Sequence, residues 1–180
     1  MRSQLTPSSL EGGASLRAAD LLQLTPSDGV RRGRALHQAL EAVASLDEVT
    51  DEQRRGWSDE VRRMLDRPAV AQALRLPSGP HWLWRERPFA VIDGDRTLHG
   101  VFDRVVVSLD ADDRPTSAQL VDFKTDRVTG DPATLEARAG HYRPQVRAYR
   151  RGLSILLGLD EAKIAAGLVF LEPGRVVDVS

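Results

Sequence analysis

The chain has 180 residues, 41% of them hydrophobic and 28% charged, the composition of one soluble globular domain with a substantial core. A formal net charge of −1 and a pI near 6.4 exclude a global basic field, so any attraction to a polyanion must be local or supplied by something attached. The absence of cysteine excludes disulfides, Cys-ligated zinc and an iron–sulfur cluster. With no apolar membrane-length run and no apolar signal core, a cytoplasmic chain without a membrane partner is expected.

Met1–Ala14 is rich in Ser, Pro and Gly and reads as a flexible lead-in, leaving Ser15–Ser180 as one domain. Ser15–Leu24 has the pattern of a short amphipathic helix. The TPSD turn then offers Ser27 or Asp28 as cap for a helix running to about Leu46, with Leu36, Leu40 and Val43 on one stripe. Gly33 and His37 lie one turn apart beside that stripe, and a glycine there lets another backbone come close to the imidazole. By itself, His37 is either a surface histidine or a ligand. Asp51–Leu65 reads as one helix burying Trp57, Val61, Met64 and Leu65, followed by a second piece capped by Asp66 with Pro68 in its first turn.

His81–Ile92 alternates large apolar and charged residues, a strand pattern in which Pro88 marks an edge or bulge. It places Glu86 beside the next hairpin, as an exposed charge paired with Arg85 or Arg87 or as part of a site. After the DGD turn, Leu98–Leu109 and Ser117–Lys124 read as two strands around ADDRPT. A two-residue loop at Asp112–Asp113 pairs positions summing to 225, which sets Asp103 opposite Asp122. Period-two alternation adds Lys124 to that face and turns Phe123 to the other. A three-residue loop would slip the pairing and separate the faces. Opposed carboxylates repel unless solvated or bridged by a divalent cation. Lys124 favours the bridged reading. Among 25 basic residues only Lys124 and Lys163 are lysines, so a lysine two positions after an acid is a departure from the chain's habit.

Thr125–Ala139 reads as loop and short helix, and His141–Leu157 as a long helix with Pro144 in its first turn. Gln145 and Tyr149 share one face near Tyr142, and Arg143, Arg147, Arg150 and Arg151 form a basic cluster. Such a helix either holds a nucleic-acid strand or is a solvated surface helix whose tyrosines pack on the sheet. Ile164–Leu171 and Val176–Val179 read as a closing hairpin.

Asp103 followed by Asp122-Phe123-Lys124 resembles the PD-(D/E)xK nuclease pattern. GRALHQALE is similar to the histidine-bearing helix of the RecB-like branch, RERPF to its glutamate strand and QVRAY to its glutamine–tyrosine helix, in the family's order from Gly33 to Tyr149. The nearest likeness is the C-terminal nuclease domain of AddA-type and related UvrD-like helicase-nucleases. The resemblance implies a restriction-endonuclease-like α/β fold, a central mixed sheet flanked by helices. It implies Mg²⁺- or Mn²⁺-dependent hydrolysis of DNA, with His37, Asp103, Asp122 and the Phe123 carbonyl holding the metal. Glu86 would be an outer acidic residue and Lys124 would orient water. Gln145, Tyr149, Tyr142, Arg143 and Arg147 would contact DNA, expected to be single-stranded and delivered by a helicase in cis or in trans. A free-standing exonuclease and a non-cleaving DNA-binding module are the alternatives.

Overall fold

A computed structural model describes residues 3–5 and 28–179. In chain order they form β1 (Ser3–Leu5), α1 (Asp28–Ala42), α2 (Asp51–Gly56), α3 (Asp59–Leu65), α4 (Pro68–Ala73), β2 (His81–Asp93), β3 (Arg96–Leu109), β4 (Pro115–Lys124), α5 (Pro132–Leu157), β5 (Ile164–Phe170) and β6 (Arg175–Asp178). The helix expected over Ser15–Leu24 and the Ser27 cap lie outside the described residues. Of the expected lead-in, Ser3–Leu5 is strand.

The six strands make one mixed sheet with β3 as its hub. β2 runs antiparallel along the full length of β3, and on the other side β4 pairs with Arg104–Leu109 while β1 lies parallel to Arg96–Leu98. β4 continues in parallel to β5, which turns back into β6. A parallel neighbour requires a crossover, and α5 supplies it. α5 packs Leu135, Ala139, Tyr142, Val146, Tyr149 and Leu153 on one face of the sheet. The other face is covered by Leu36, Leu40 and Val43 of α1 with Val61, Met64, Leu65 and Val70 of α3 and α4. The result is the restriction-endonuclease-like α/β layering, a mixed sheet between two helical layers.

Three local expectations change. Asp51–Leu65 is two helices, because Thr50 and Ser58 each cap a start and Trp57 lies between them in an extended conformation. Asp66 closes α3, and Arg67 precedes Pro68 as the N-cap of α4. The long helix begins at Pro132, capped by the Asp131 side chain on the Thr134 amide at 3.0 Å, so Pro144 sits inside it. A proline there removes one helical hydrogen bond. The buried stripe from Leu135 to Leu153, at three- and four-residue spacing on both sides of the proline, holds the helix together across it.

Under α5, Phe89 stacks on Phe102 at 4.1 Å between ring centroids, and Tyr149 meets both edge-on. This trio closes only because two facing positions lack a Cβ. An added Cβ at Gly100 would lie 2.8 Å from Tyr149, and one at Gly152 would lie 2.7 Å from Phe89. Gly100→Ala is therefore expected to destabilise the protein by about 1–3 kcal/mol, read as a lower urea midpoint with an unchanged slope. An unaltered midpoint would show that the trio has room to relax.

Candidate active site

The hairpin between β3 and β4 sets the first two acids of the site. Its loop has three residues, not two: the Asp110 carbonyl accepts from the Asp113 amide, its own amide donates to the Arg114 carbonyl at 2.9 Å, and Asp113 takes φ +59°. Asp110 Oδ1 accepts from the amides of Asp112 and Arg114, which fits the turn. Alone this loop would displace the pairing by one. A bulge beyond Ser108 and Leu109 restores it, with Thr116 as the extra residue and its hydroxyl donating to the Ser108 carbonyl at 3.1 Å. From Ser108↔Ser117 to Arg104↔Val121 the partners again sum to 225, and the next level is Asp103 and Asp122.

β2 brings a third acid to the same level. Arg85 faces Arg104 and Arg87 faces Phe102, which leaves Glu86 across from Asp103. The two strands change phase there. Phe102 and Val105 lie in the same core cluster, and Phe89 and Trp84 share it too, separations that strict alternation forbids. Glu86 takes φ +43°, a left-handed conformation costly for a residue with a Cβ. The kink turns the Glu86 and Asp103 side chains out of both packed faces and toward α1, where His37 waits. His37 Nδ1 lies 3.6 Å from Glu86 Oε1 and 3.9 Å from Asp103 Oδ2. Gly33, one turn earlier, admits the Thr125 hydroxyl, which would lie 3.0 Å from a Cβ there, so the segment leaving β4 can pass against α1.

Asp122 and Lys124 complete the row. Asp122 is 2% exposed, and its Oδ2 lies 2.9 Å from Lys124 Nζ in an orientation that makes no hydrogen bond. Lys124 Nζ donates to Gln145 Oε1 at 2.9 Å and sits 3.9 Å above the Tyr142 ring. Gln145 in turn donates to the Tyr149 hydroxyl at 3.4 Å. The Tyr142 hydroxyl donates to Asp126 at 3.0 Å and accepts from Arg138 at 3.1 Å, while Arg138 also pairs with Asp126. Tyr142, Gln145 and Tyr149 are buried and form the mount of Lys124. Arg143 bonds Glu136, and Arg147 is exposed on the helix surface. The Phe123 amide donates to Asp103 Oδ2 at 2.8 Å, while its ring packs with the α1 layer.

Burial, then the Asp122 and Glu86 carboxylates, push Asp103 well above the ordinary carboxylate range, against the Phe123 amide and Lys124, which pull it down. Three carboxylates against one lysine leave an excess of negative charge. His37, Glu86 and Asp103 each offer a ligand atom within 4.8 Å of the others. The Asp122 Oδ2, buried without a hydrogen bond beside Lys124, and this oxygen-and-imidazole donor set fit a divalent cation.

One residue that sequence reasoning missed underlies the site. Arg104, next to Asp103 and 1% exposed, donates to the carbonyls of Ala44 at 2.8 Å and Leu74 at 3.1 Å, with Val43 at 3.4 Å. It gathers the chain ends leaving α1 and α4 onto β3, and burial, with Arg85 opposite, lowers its pKa to about 10. Its only signal was an arginine directly before a run of three valines, Val105–Val107.

Fold and site together define a nuclease of the PD-(D/E)XK type, a class that uses divalent metal ions to cut phosphodiesters. The family model of the PD-(D/E)XK nuclease superfamily matches residues 13–178, and the chain belongs to that superfamily. No curated protein matches it.

Proposed function

We propose that this chain is the nuclease domain of a RecB-like helicase-nuclease, closest to the AddA type, cutting DNA during double-strand break repair and recombination. The observation that carries the reading is the level row of Glu86, Asp103 and Asp122, with His37 at one end and Lys124 at the other. His37, Glu86, Asp103 and Asp122 would hold Mg²⁺ or Mn²⁺. When bound, the ion neutralises charge on the scissile phosphate and eases deprotonation of the attacking water. Lys124, fixed by Gln145 and the Tyr142 face, orients that water or the phosphate from the opposite end of the row. Asp126 and Arg138 hold the Tyr142 hydroxyl, which keeps its ring beneath the lysine.

Delivery by a motor is supported by the surface charge. Of the arginines on α5, Arg143 bonds Glu136, Arg150 bonds the Glu161 carbonyl and Arg151 bonds Asp93. Arg143 and Arg151 are thus neutralised by acids and the chain carries a formal net charge of −1, so the domain alone should bind DNA weakly and depend on tethering for its substrate. The direct test is digestion of end-labelled single- and double-stranded DNA with Mg²⁺, Mn²⁺ or EDTA. Metal-dependent shortening of the single strand from its ends is expected, and no cleavage with either ion would overturn the reading.

His37→Ala is expected to weaken metal affinity without ending the chemistry, since three carboxylates remain. Raising Mn²⁺ should restore part of the rate, because an imidazole site suits manganese better than magnesium. A correctly folded variant whose rate no metal concentration changes would remove His37 from the ligand set.

A further inference from the structure

We propose that Trp82, Trp84 and Arg87 on β2 form a base-stacking strip that receives unpaired nucleotides and guides a single strand to the row of acids. The proposal rests on the nuclease reading and adds the surface that recognises the strand. Trp82 and Trp84, two residues apart on one strand face, hold their rings 11° from parallel with centroids 6.4 Å apart. The Arg87 guanidinium lies 4.4 Å over the Trp84 ring. Trp84 is anchored against the core beneath α5, while Trp82 is 40% exposed, a large apolar side chain open to solvent.

The setting argues for a nucleic acid. Among the described residues β2 is an edge strand with no neighbour on its outer side, so a chain can approach along it. An open groove of about 750 Å³ runs along that edge beside α1, lined by Trp84, Arg85, Arg87 and Glu86. Glu86 belongs both to this groove and to the candidate metal cluster, so the strip ends where the chemistry begins. Arg87 also differs from Arg143 and Arg151 of α5, which pair with Glu136 and Asp93. Among the described residues it has no carboxylate partner and lies on an aromatic face instead. Parallel aromatic rings with an adjacent guanidinium bind single strands by base stacking and cation–π contact, whatever the sequence, because every base has a π-face. Paired bases are stacked inside a duplex and cannot reach such a surface. The strip therefore selects unpaired substrate.

The test separates bases from backbone. A short labelled oligothymidylate and an abasic deoxyribose-phosphate chain of equal length are titrated into the protein by fluorescence anisotropy, with calcium in place of magnesium. Quenching of tryptophan emission is followed in parallel. The intact chain should bind the thymidylate about tenfold more tightly than the abasic probe. Trp82→Ala should lose that factor and bind both probes equally, while Trp82→Phe, which keeps a ring, should retain most of it. Equal binding of the two probes by the intact chain would overturn the proposal. So would a Trp82→Ala variant that weakens both probes alike, since the ring would then serve the fold or a protein partner. A chain that discriminates through Trp82 yet cuts neither with Mg²⁺ nor with Mn²⁺ keeps the strip and overturns the nuclease reading. One that cuts single strands but ignores their bases does the reverse.

Discussion

Lys124→Ala is expected to reduce cleavage by about 10²–10⁴-fold, the scale for losing a positioned catalytic group, while divalent metal still binds. Among the described residues of the metal-free protein, Lys124 is the basic side chain in direct contact with the buried Asp122 carboxylate, 2.9 Å away. Removing it leaves that charge uncompensated, a change that costs about 3–5 kcal/mol at buried pairs. The metal-free variant should therefore melt lower than the parent, and added Mn²⁺ should raise its melting temperature by more than it raises the parent's. Asp122→Ala behaves oppositely. It also ends cleavage, but through the loss of a ligand, so calorimetry should show metal binding lost or strongly weakened. Cleavage retained by either variant would dismiss the row as the active site.

The second large effect is a trade of stability against activity at Asp103. Its carboxyl is pushed well above the ordinary range, mainly by burial and then by Asp122 and Glu86. The folded metal-free protein thus holds this proton more tightly than the unfolded chain does. The stabilisation is complete below the ordinary carboxylate pKa of about 4 and is lost as pH rises through the elevated folded value. Asp103→Asn keeps an oxygen for the Phe123 amide and removes the charge, so it should raise metal-free stability at neutral pH by about 1 kcal/mol and flatten its decline with rising pH. Cleavage should vanish. Denaturant titrations of both proteins in EDTA at several pH values would decide, and an Asn variant less stable than the parent at neutral pH would show that the carboxylates do not strain the fold.

The sequence conveyed the faces of β4 well. Alternation over VDFK set Asp122 and Lys124 on one side and Phe123 on the other, and the structure has them so. It conveyed the register of the hairpin for an incomplete reason. A two-residue loop was expected; a three-residue loop and a bulge at Thr116 cancel each other, and turn chemistry alone could not reveal the second. The phase change at Glu86 and Asp103 was not legible, because a left-handed glutamate follows from tertiary packing and leaves no mark in a periodicity. The same holds for the mount of Lys124. Gln145 and Tyr149 could be put on one helix face, but Asp126 and Arg138 reach Tyr142 only through the fold. The pairing of Arg151 on α5 with Asp93 was equally hidden, because the two lie 58 residues apart along the chain.

The paired irregularities of the β3–β4 hairpin bear on how such a chain tolerates insertions and deletions. Loop tips are ordinarily where length varies freely. Here the residues at the tip and the extra residue at Thr116 form a matched pair of offsets, and the acids they align stand about six residues down the strand, roughly 20 Å away at 3.3 Å per residue. Deleting one residue at the tip would leave a two-residue loop closed by the same Asp110 and Arg114 pair, with Asp122 still level with Asp103. Deleting one at the tip together with Thr116 would leave the two acids abreast. Length changes at the tip or at Thr116 are therefore absorbed where they occur, whereas a residue lost between the bulge and the acids would turn Asp122 to the opposite face.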